Sequence, residues 1–389
     1  MLLKLFNLLV IVVFAFFLSR LDVYIAKKGI IPSPAALYFV WLISIFFIYK
    51  LLDKNQNPYF TRRSLYLVFS FAIITMIEML WFLAEGSSSQ SALTLFPIFL
   101  SIVFLVLIFT AVDLPINKIL IATLLIICIT ILIDVVYLGT FSKSYYRPAG
   151  SPENPNSAAM MISLCFFLIT SFKKVRVEDF LLFSLSFVCI LMTSSRSGLL
   201  FFILLSMLWF GKLFSKQNST VKIKYALYLL AFGVIITFIL SYLYESSDIF
   251  NSESVRNRLS ISGQRDVIES DDSRLQVITG FLSRLPECFP IGCWLKEFSN
   301  MELHAHNTVL NHIFKYGFLS LLLLFFPYYL LISKKILTRE GSFDEIKLVI
   351  FAGFYTFYLF INNDLFALKL FTFVTCYLSC GLKAKGQYR

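Results

Sequence analysis

Long apolar segments recur from one end of this chain to the other, and polar residues are concentrated between them. A membrane-spanning helix needs roughly 20 mainly apolar residues. Hydrophobic residues make up 58% of the 389 and charged residues only 15%, a balance too apolar for a soluble globular protein. We therefore predict an all-α polytopic membrane protein with about twelve transmembrane helices, at 3–19, 35–52, 64–84, 92–112, 117–138, 157–172, 178–194, 197–213, 223–244, 308–332, 345–362 and 365–382.

The basic residues predict how these helices are oriented. More than half of the 34 lysines and arginines lie in the alternate short segments that are cytoplasmic if the N-terminus is cytoplasmic. Positive charge in short loops favours the cytoplasmic side, so both termini are expected there. The prediction is a single membrane domain, 1–389, with one large loop, 245–305, on the outer side. The net charge of +11 is spread evenly, so membrane lipids are expected partners and nucleic acid is not.

The outer loop is expected to contain short amphipathic helices. After Asp271 and Asp272, apolar residues recur at helical spacing until Pro286. Arg274 lies in the first turn of this helix, where a guanidinium and free backbone N–H groups together can bind a phosphate. An ion pair between Arg274 and a neighbouring aspartate is the simpler interpretation. Further along, Cys288 and Cys293 lie on the outer side, where a disulfide is compatible with the compartment, and whether they form one is left open.

Two further arginines lie in outer segments. Arg196 follows Ser194 and Ser195 in a turn between two predicted spans, and a charge at such a position is either functional or extends to the lipid headgroups. Arg147 begins a segment rich in turn-forming residues that ends at Asn156. That segment is either only a rigid loop or backbone beside the same outer face.

All three histidines fall within nine residues, at His304, His306 and His312, where the outer loop meets the tenth predicted span. Histidine titrates near neutral pH, so a cluster there is a candidate proton-transfer site. Two other interpretations are open. His304 and His306 have the spacing of metal ligands on an extended strand, or Asn307 caps the following helix and the histidines lie at the interface without chemistry.

Taken in order, these segments resemble the O-antigen ligase and polymerase superfamily. The resemblance rests on four motifs: Arg147-Pro-Ala-Gly with Asn154-Pro-Asn, Arg196-Ser-Gly, Ser273-Arg274-Leu leading to Pro290-Ile-Gly292, and His304-Ala-His306-Asn307 followed by Gly317. Twelve spans, cytoplasmic termini and a large loop between the ninth and tenth spans also match. Ser320 stands where many members have a second glycine.

The resemblance implies glycosyl transfer at the periplasmic face of the bacterial inner membrane. The expected donor is an undecaprenyl-diphosphate-linked glycan, and the expected acceptor is lipid A-core or another lipid-linked glycan. Arg196 and Arg274 are expected to stabilise the diphosphate leaving group and His306 to act as the base, so these three are the expected catalytic residues. His304, Asn307 and Arg147 are expected to bind substrate, and no metal or cofactor is implied.

Three functions are compatible with these features. A ligase and a polymerase share the donor chemistry and differ in the acceptor. A ligase is favoured because the polar residues are concentrated in one large outer loop, whereas polymerases often elaborate two. A lipid-linked glycan transporter is less favoured; its main acidic candidates are Glu78 and Asp134, both near outer span ends.

Overall fold

The protein is helical throughout the part that a computed structural model describes, and no strand occurs among those residues. The helices fall into two compact units. One comprises the described parts of Met1–Ile31 and Pro115–Arg265, and the other those of Pro32–Leu114 and Asp266–Arg389. The described residues are 2–31, 33–52, 60–85, 95–137, 140–142, 147–170, 177–215, 279–280, 282–283, 286, 292, 308–326, 329, 345–361 and 368–380.

The first unit is built around two central helices that pack against each other. Its helices are α1 (Leu2–Leu18), α2 (Leu21–Lys27), α6 (Ile116–Val136), α7 (Pro155–Ile169), α8 (Val177–Met192) and α9 (Arg196–Ser215). Helix α6 contacts α1, α7 and α8, and α7 also contacts α8 and α9. Nearly every side chain of α7 is buried, because helices surround it.

The first predicted span ends in a sharp bend that its hydropathy did not predict. Arg20 adopts a left-handed conformation, with φ of 64°, and α2 leaves the axis of α1 at 64°. Most L-residues avoid this region of backbone space, so tertiary contacts must stabilise the bend. One such contact is made by Ser151, whose hydroxyl donates to the Ser19 carbonyl.

The second unit contains α3 (Pro34–Leu52), α4 (Arg62–Glu85), α5 (Leu95–Ala111), α10 (Thr308–Tyr316), α11 (Leu321–Leu324), α12 (Glu345–Ile361) and α13 (Lys369–Cys380). Helix α5 contacts α3, α4 and α13. The tenth predicted span is interrupted here: α10 ends before Gly317, whose φ is 69°, and a 3₁₀ turn, Phe318–Ser320, leads into α11. A glycine adopts positive φ without steric cost, which explains the break at this position.

Helices coincide with eleven of the twelve predicted spans, and the ninth, 223–244, lies outside the described residues. Among those residues, three helices are long and apolar enough to cross a membrane: Pro34–Leu51, Arg62–Leu80 and Ile116–Val136. The bent pair α1 and α2 makes a fourth if it is one span. Helices α5, α7, α9, α12 and α13 are apolar but shorter by this measure, so twelve crossings stay a prediction. A single domain also stays a prediction, and most of the 245–305 loop lies outside the described residues.

Candidate functional site

A strained turn joins α8 to α9 and exposes Arg196 at its end. Ser194 adopts a left-handed conformation, with φ of 51°, which reverses the chain directly after α8. Ser195 then caps α9: its hydroxyl oxygen accepts a hydrogen bond from the Gly198 N–H at 3.2 Å. Arg196 is therefore the first residue of α9 and is exposed. This turn separates the seventh and eighth predicted spans.

The beginnings of α7 and α9 lie side by side. A Cβ atom added at Gly198 would overlap the Cβ of Ala159, so only glycine permits this approach. Helix α7 is capped by Asn154, whose side-chain oxygen accepts from the N–H groups of Asn156 at 2.9 Å and Ser157 at 3.4 Å. The N-terminus of a helix carries partial positive charge. Two such ends are therefore adjacent at this site.

Arg147 joins the polar segment before α7 to the turn before α9. Its Nε donates to the carbonyl oxygen of Thr193 at 3.3 Å, and its Nη2 donates to that of Ser194 at 3.3 Å. Nη2 also lies 3.5 Å from Oδ1 of Asn156, and the same oxygen accepts from the Ser195 hydroxyl at 2.8 Å. The structure thus brings Arg147 to the residues that immediately precede Arg196.

A buried carboxylate fixes the backbone both before and after Arg147 in the chain. Asp134, near the end of α6, is fully buried. Its oxygens accept hydrogen bonds from the backbone N–H groups of Phe141 at 3.0 Å, Ser142 at 3.1 Å, Ala149 at 3.0 Å and Gly150 at 3.3 Å. Bonds of this kind to a charged acceptor are stronger than neutral ones. Asp134 therefore fixes the backbone at Phe141 and Ser142, which precede Arg147, and at Ala149 and Gly150, which follow it.

The 147–156 segment also supports the bend between α1 and α2. Gly150 has a φ of 59°, and a Cβ there would lie 2.8 Å from the Ile131 backbone nitrogen, so a side chain is excluded. Ser151 donates from its backbone N–H to the Thr130 hydroxyl at 3.0 Å and from its own hydroxyl to the Ser19 carbonyl at 2.6 Å. The Ser19 carbonyl at the bend is therefore satisfied by the 147–156 segment.

The electrostatic character of this site is cationic. Arg147, Arg196 and the two helix N-termini contribute positive charge, and the buried Asp134, which binds backbone N–H groups, contributes negative charge. The acidic residue of the segment, Glu153, forms an ion pair with Lys27 of α2. Its charge is thereby offset by a neighbouring lysine. The arrangement can bind a negatively charged group such as a phosphate.

In the second unit, two glycines of the resemblance motifs meet. Gly292, with φ of 95°, packs against the end of α10, where an added Cβ would overlap the Lys315 carbonyl and lie 2.8 Å from the Gly317 nitrogen. The close approach at Gly292 and the positive φ at Gly317 explain why glycine stands at both motif positions. Within α10, His312 is buried beside Tyr316, with ring centroids 5.3 Å apart.

The remaining predicted site residues lie outside the described residues: Arg274, His304, His306 and Asn307, together with Cys288 and Cys293. Their convergence with Arg196 stays a prediction. Within the described ranges, no three histidine, cysteine, aspartate or glutamate side chains are placed to hold a metal ion.

Sequence reasoning named Asp134, Ser195 and Gly198 but did not assign them the structural roles that they have in this site. An acidic residue near the end of an otherwise apolar span is a signal for a buried carboxylate that binds backbone groups, and a serine directly before an apolar helical segment is a signal for a helix cap. No protein-family model and no curated protein matches the chain.

Proposed function

We propose that this chain is a multi-pass enzyme of the bacterial inner membrane, with twelve transmembrane helices and cytoplasmic termini. It transfers a glycan from an undecaprenyl-diphosphate carrier to an acceptor hydroxyl at the periplasmic face. The observation that carries the proposal is the cationic site at the paired beginnings of α7 and α9, formed by Arg147, Asn156 and the turn leading to Arg196. A diphosphate is the anion that this proposal assigns to it.

Many apolar side chains point outward from the helices, among them Leu51, Leu83 and Met207, which supports a lipid-facing surface. The site, by contrast, is polar and lies at helix ends. An amphiphilic donor, with a charged head and an apolar chain, suits a protein with these two surfaces.

The proposed reaction is a direct displacement. The acceptor oxygen attacks the anomeric carbon, and the bond from that carbon to the diphosphate oxygen breaks with its electron pair leaving on undecaprenyl diphosphate. The acceptor proton passes to the neutral imidazole of His306. Arg196 and Arg274 stabilise the negative charge on the leaving group. His304 and Asn307 orient the acceptor, and the anomeric configuration inverts.

A transporter is disfavoured by the contacts of the two acidic residues that would serve it. Both Glu78 oxygens accept from the Leu95 N–H, at 3.0 and 2.9 Å, and so cap α5. Asp134 binds backbone N–H groups in the same way. Carboxylates used as backbone caps support a structural role for both residues.

The acceptor is proposed to be lipid A-core, which makes the enzyme an O-antigen ligase. The test is deletion of the gene in its host, followed by analysis of lipid A-core and of the undecaprenyl-linked pool. Long chains stranded on the carrier beside bare core support the ligase, and re-expression of the wild-type chain, but not of Arg196→Ala, should restore transfer. Core that carries one repeat, with long chains absent everywhere, indicates a polymerase instead. A glycan distribution unchanged by deletion contradicts both.

A further inference from the structure

We infer that Arg147 is a positioning residue, which fixes the turn before α9 so that Arg196 meets the donor diphosphate, and does not itself bind the donor. The inference rests on the proposed function and deepens it, since it divides the work of the two arginines at one site. It differs from the sequence-based expectation that Arg147 binds substrate directly.

Arg147 contacts two acceptors in the turn before α9. Its Nε and Nη2 donate to the carbonyl oxygens of Thr193 and Ser194, which are the two residues after α8. A planar guanidinium donates to two neighbouring acceptors in fixed directions. Arg147 thereby sets the orientation of two consecutive peptide groups of the turn.

The backbone at Ser194 is strained, because its φ is positive. A non-glycine residue persists in this strained conformation only where surrounding contacts determine it. The Ser194 carbonyl is one of the two that Arg147 binds. Without that bond, the turn is free to relax to a more favourable backbone conformation. Arg196, two residues further on, would then move with it.

The turn before α9 and the segment that carries Arg147 are each anchored by further hydrogen bonds. Asn156 Oδ1 accepts from Ser195 as well as lying near Arg147, so the cap of α9 is tied to the first turn of α7. Asp134 holds the backbone of Ala149 and Gly150, two and three residues after Arg147. Arg147 therefore extends from a fixed segment to a strained one, as a positioning group must.

The test is a double-mutant cycle on the purified full-length protein in detergent micelles, with radiolabelled farnesyl diphosphate as the probe. Arg196→Ala and Arg147→Ala are each expected to raise the Kd for the probe by about tenfold or more, because each removes the charge-assisted hydrogen bonds that Arg196 makes to the diphosphate. Because Arg147 acts through Arg196, Arg147→Ala should add nothing in the Arg196→Ala background. Loss of fold would lower the number of binding sites, whereas loss of positioning changes Kd.

Arg62→Ala is the matched control, because Arg62 is also the exposed first residue of a helix, α4, and lies in the other unit. It should bind the probe as the wild type does. If Arg147→Ala cannot be purified, Arg147→Lys replaces it: a lysine lacks the planar fork, so Kd should rise severalfold with Arg196 present and not in its absence.

The inference is overturned if the effects of Arg147 and Arg196 substitutions multiply, which indicates direct contact of both with the diphosphate. It is also overturned if the substituted Arg147 protein binds like the wild type. Failure of the proposed function looks different: the wild-type protein does not bind farnesyl diphosphate, or Arg196→Ala binds it unchanged, and the inference then falls with it.

Discussion

Replacement of Asp134 by asparagine removes one charge and one acceptor atom from the centre of the first unit. In the wild type, one oxygen accepts from Phe141, the other accepts from Ala149 and Gly150, and the Ser142 N–H donates to both, at 3.4 and 3.1 Å. The asparagine amide has a single oxygen, so at least one N–H faces an NH₂ group. That unsatisfied group costs roughly 1–3 kcal/mol, and each of the three remaining bonds weakens by about 1 kcal/mol as its acceptor becomes neutral, for a total of roughly 4–6 kcal/mol.

This cost has two measurable consequences. The unfolding midpoint of the detergent-solubilised protein should fall by at least about 5 °C, at roughly 1.2 °C per kcal/mol for a chain of 389 residues. In hydrogen exchange, the backbone amides of Phe141, Ser142, Ala149 and Gly150 should lose protection first. Asp113→Asn is the matched control, because Asp113 is exposed, and its effect should stay within about 0.5 kcal/mol. An Asp134→Asn protein with the wild-type midpoint and unchanged protection of these four amides would refute the assignment of Asp134 as the anchor.

Three further predictions concern the site itself. Gly198→Ala should separate the beginnings of α7 and α9, because its Cβ overlaps Ala159, and should lower both the unfolding midpoint and transfer, whereas Gly211→Ala, where a Cβ meets open space, should lower neither. Arg274→Lys should lose nearly as much transfer as Arg274→Ala, since an ammonium cannot reproduce the guanidinium fork; wild-type activity of the lysine variant counts against diphosphate binding. His306→Ala should abolish transfer and leave membrane insertion intact, because the acceptor hydroxyl then has no base; full activity of the alanine variant removes the base assignment.

Hydropathy alone located the helices but not their interruptions. Apolar composition is averaged over some 20 residues, so the left-handed conformations of Arg20 and Gly317 are invisible to it. Gly317 is a recognisable break because glycine favours positive φ. The bend at Arg20 is not, because Ser151, which supports it, lies far along the chain.

The candidate site was predictable where a residue type alone indicates chemistry. Arg196 in a short turn between apolar segments was such a signal, and the structure places it at the start of α9, exposed. The contacts that hold the turn were not predictable. Asp134 binds N–H groups up to 16 residues away, and Gly198 is required only because α7 packs against it. Such demands depend on the fold and not on local sequence.

The central claim is that glycan leaves an undecaprenyl-diphosphate carrier at the site of Arg196. The most direct measurement reconstitutes the purified chain in proteoliposomes with an undecaprenyl-diphosphate-linked glycan and lipid A-core, and follows released undecaprenyl diphosphate together with glycan-bearing core. We predict that both products appear in equal amounts with the wild-type protein and that neither appears with Arg196→Ala. Glycan that stays on its carrier with the wild-type protein, or equal release by the Arg196→Ala protein, would contradict the account.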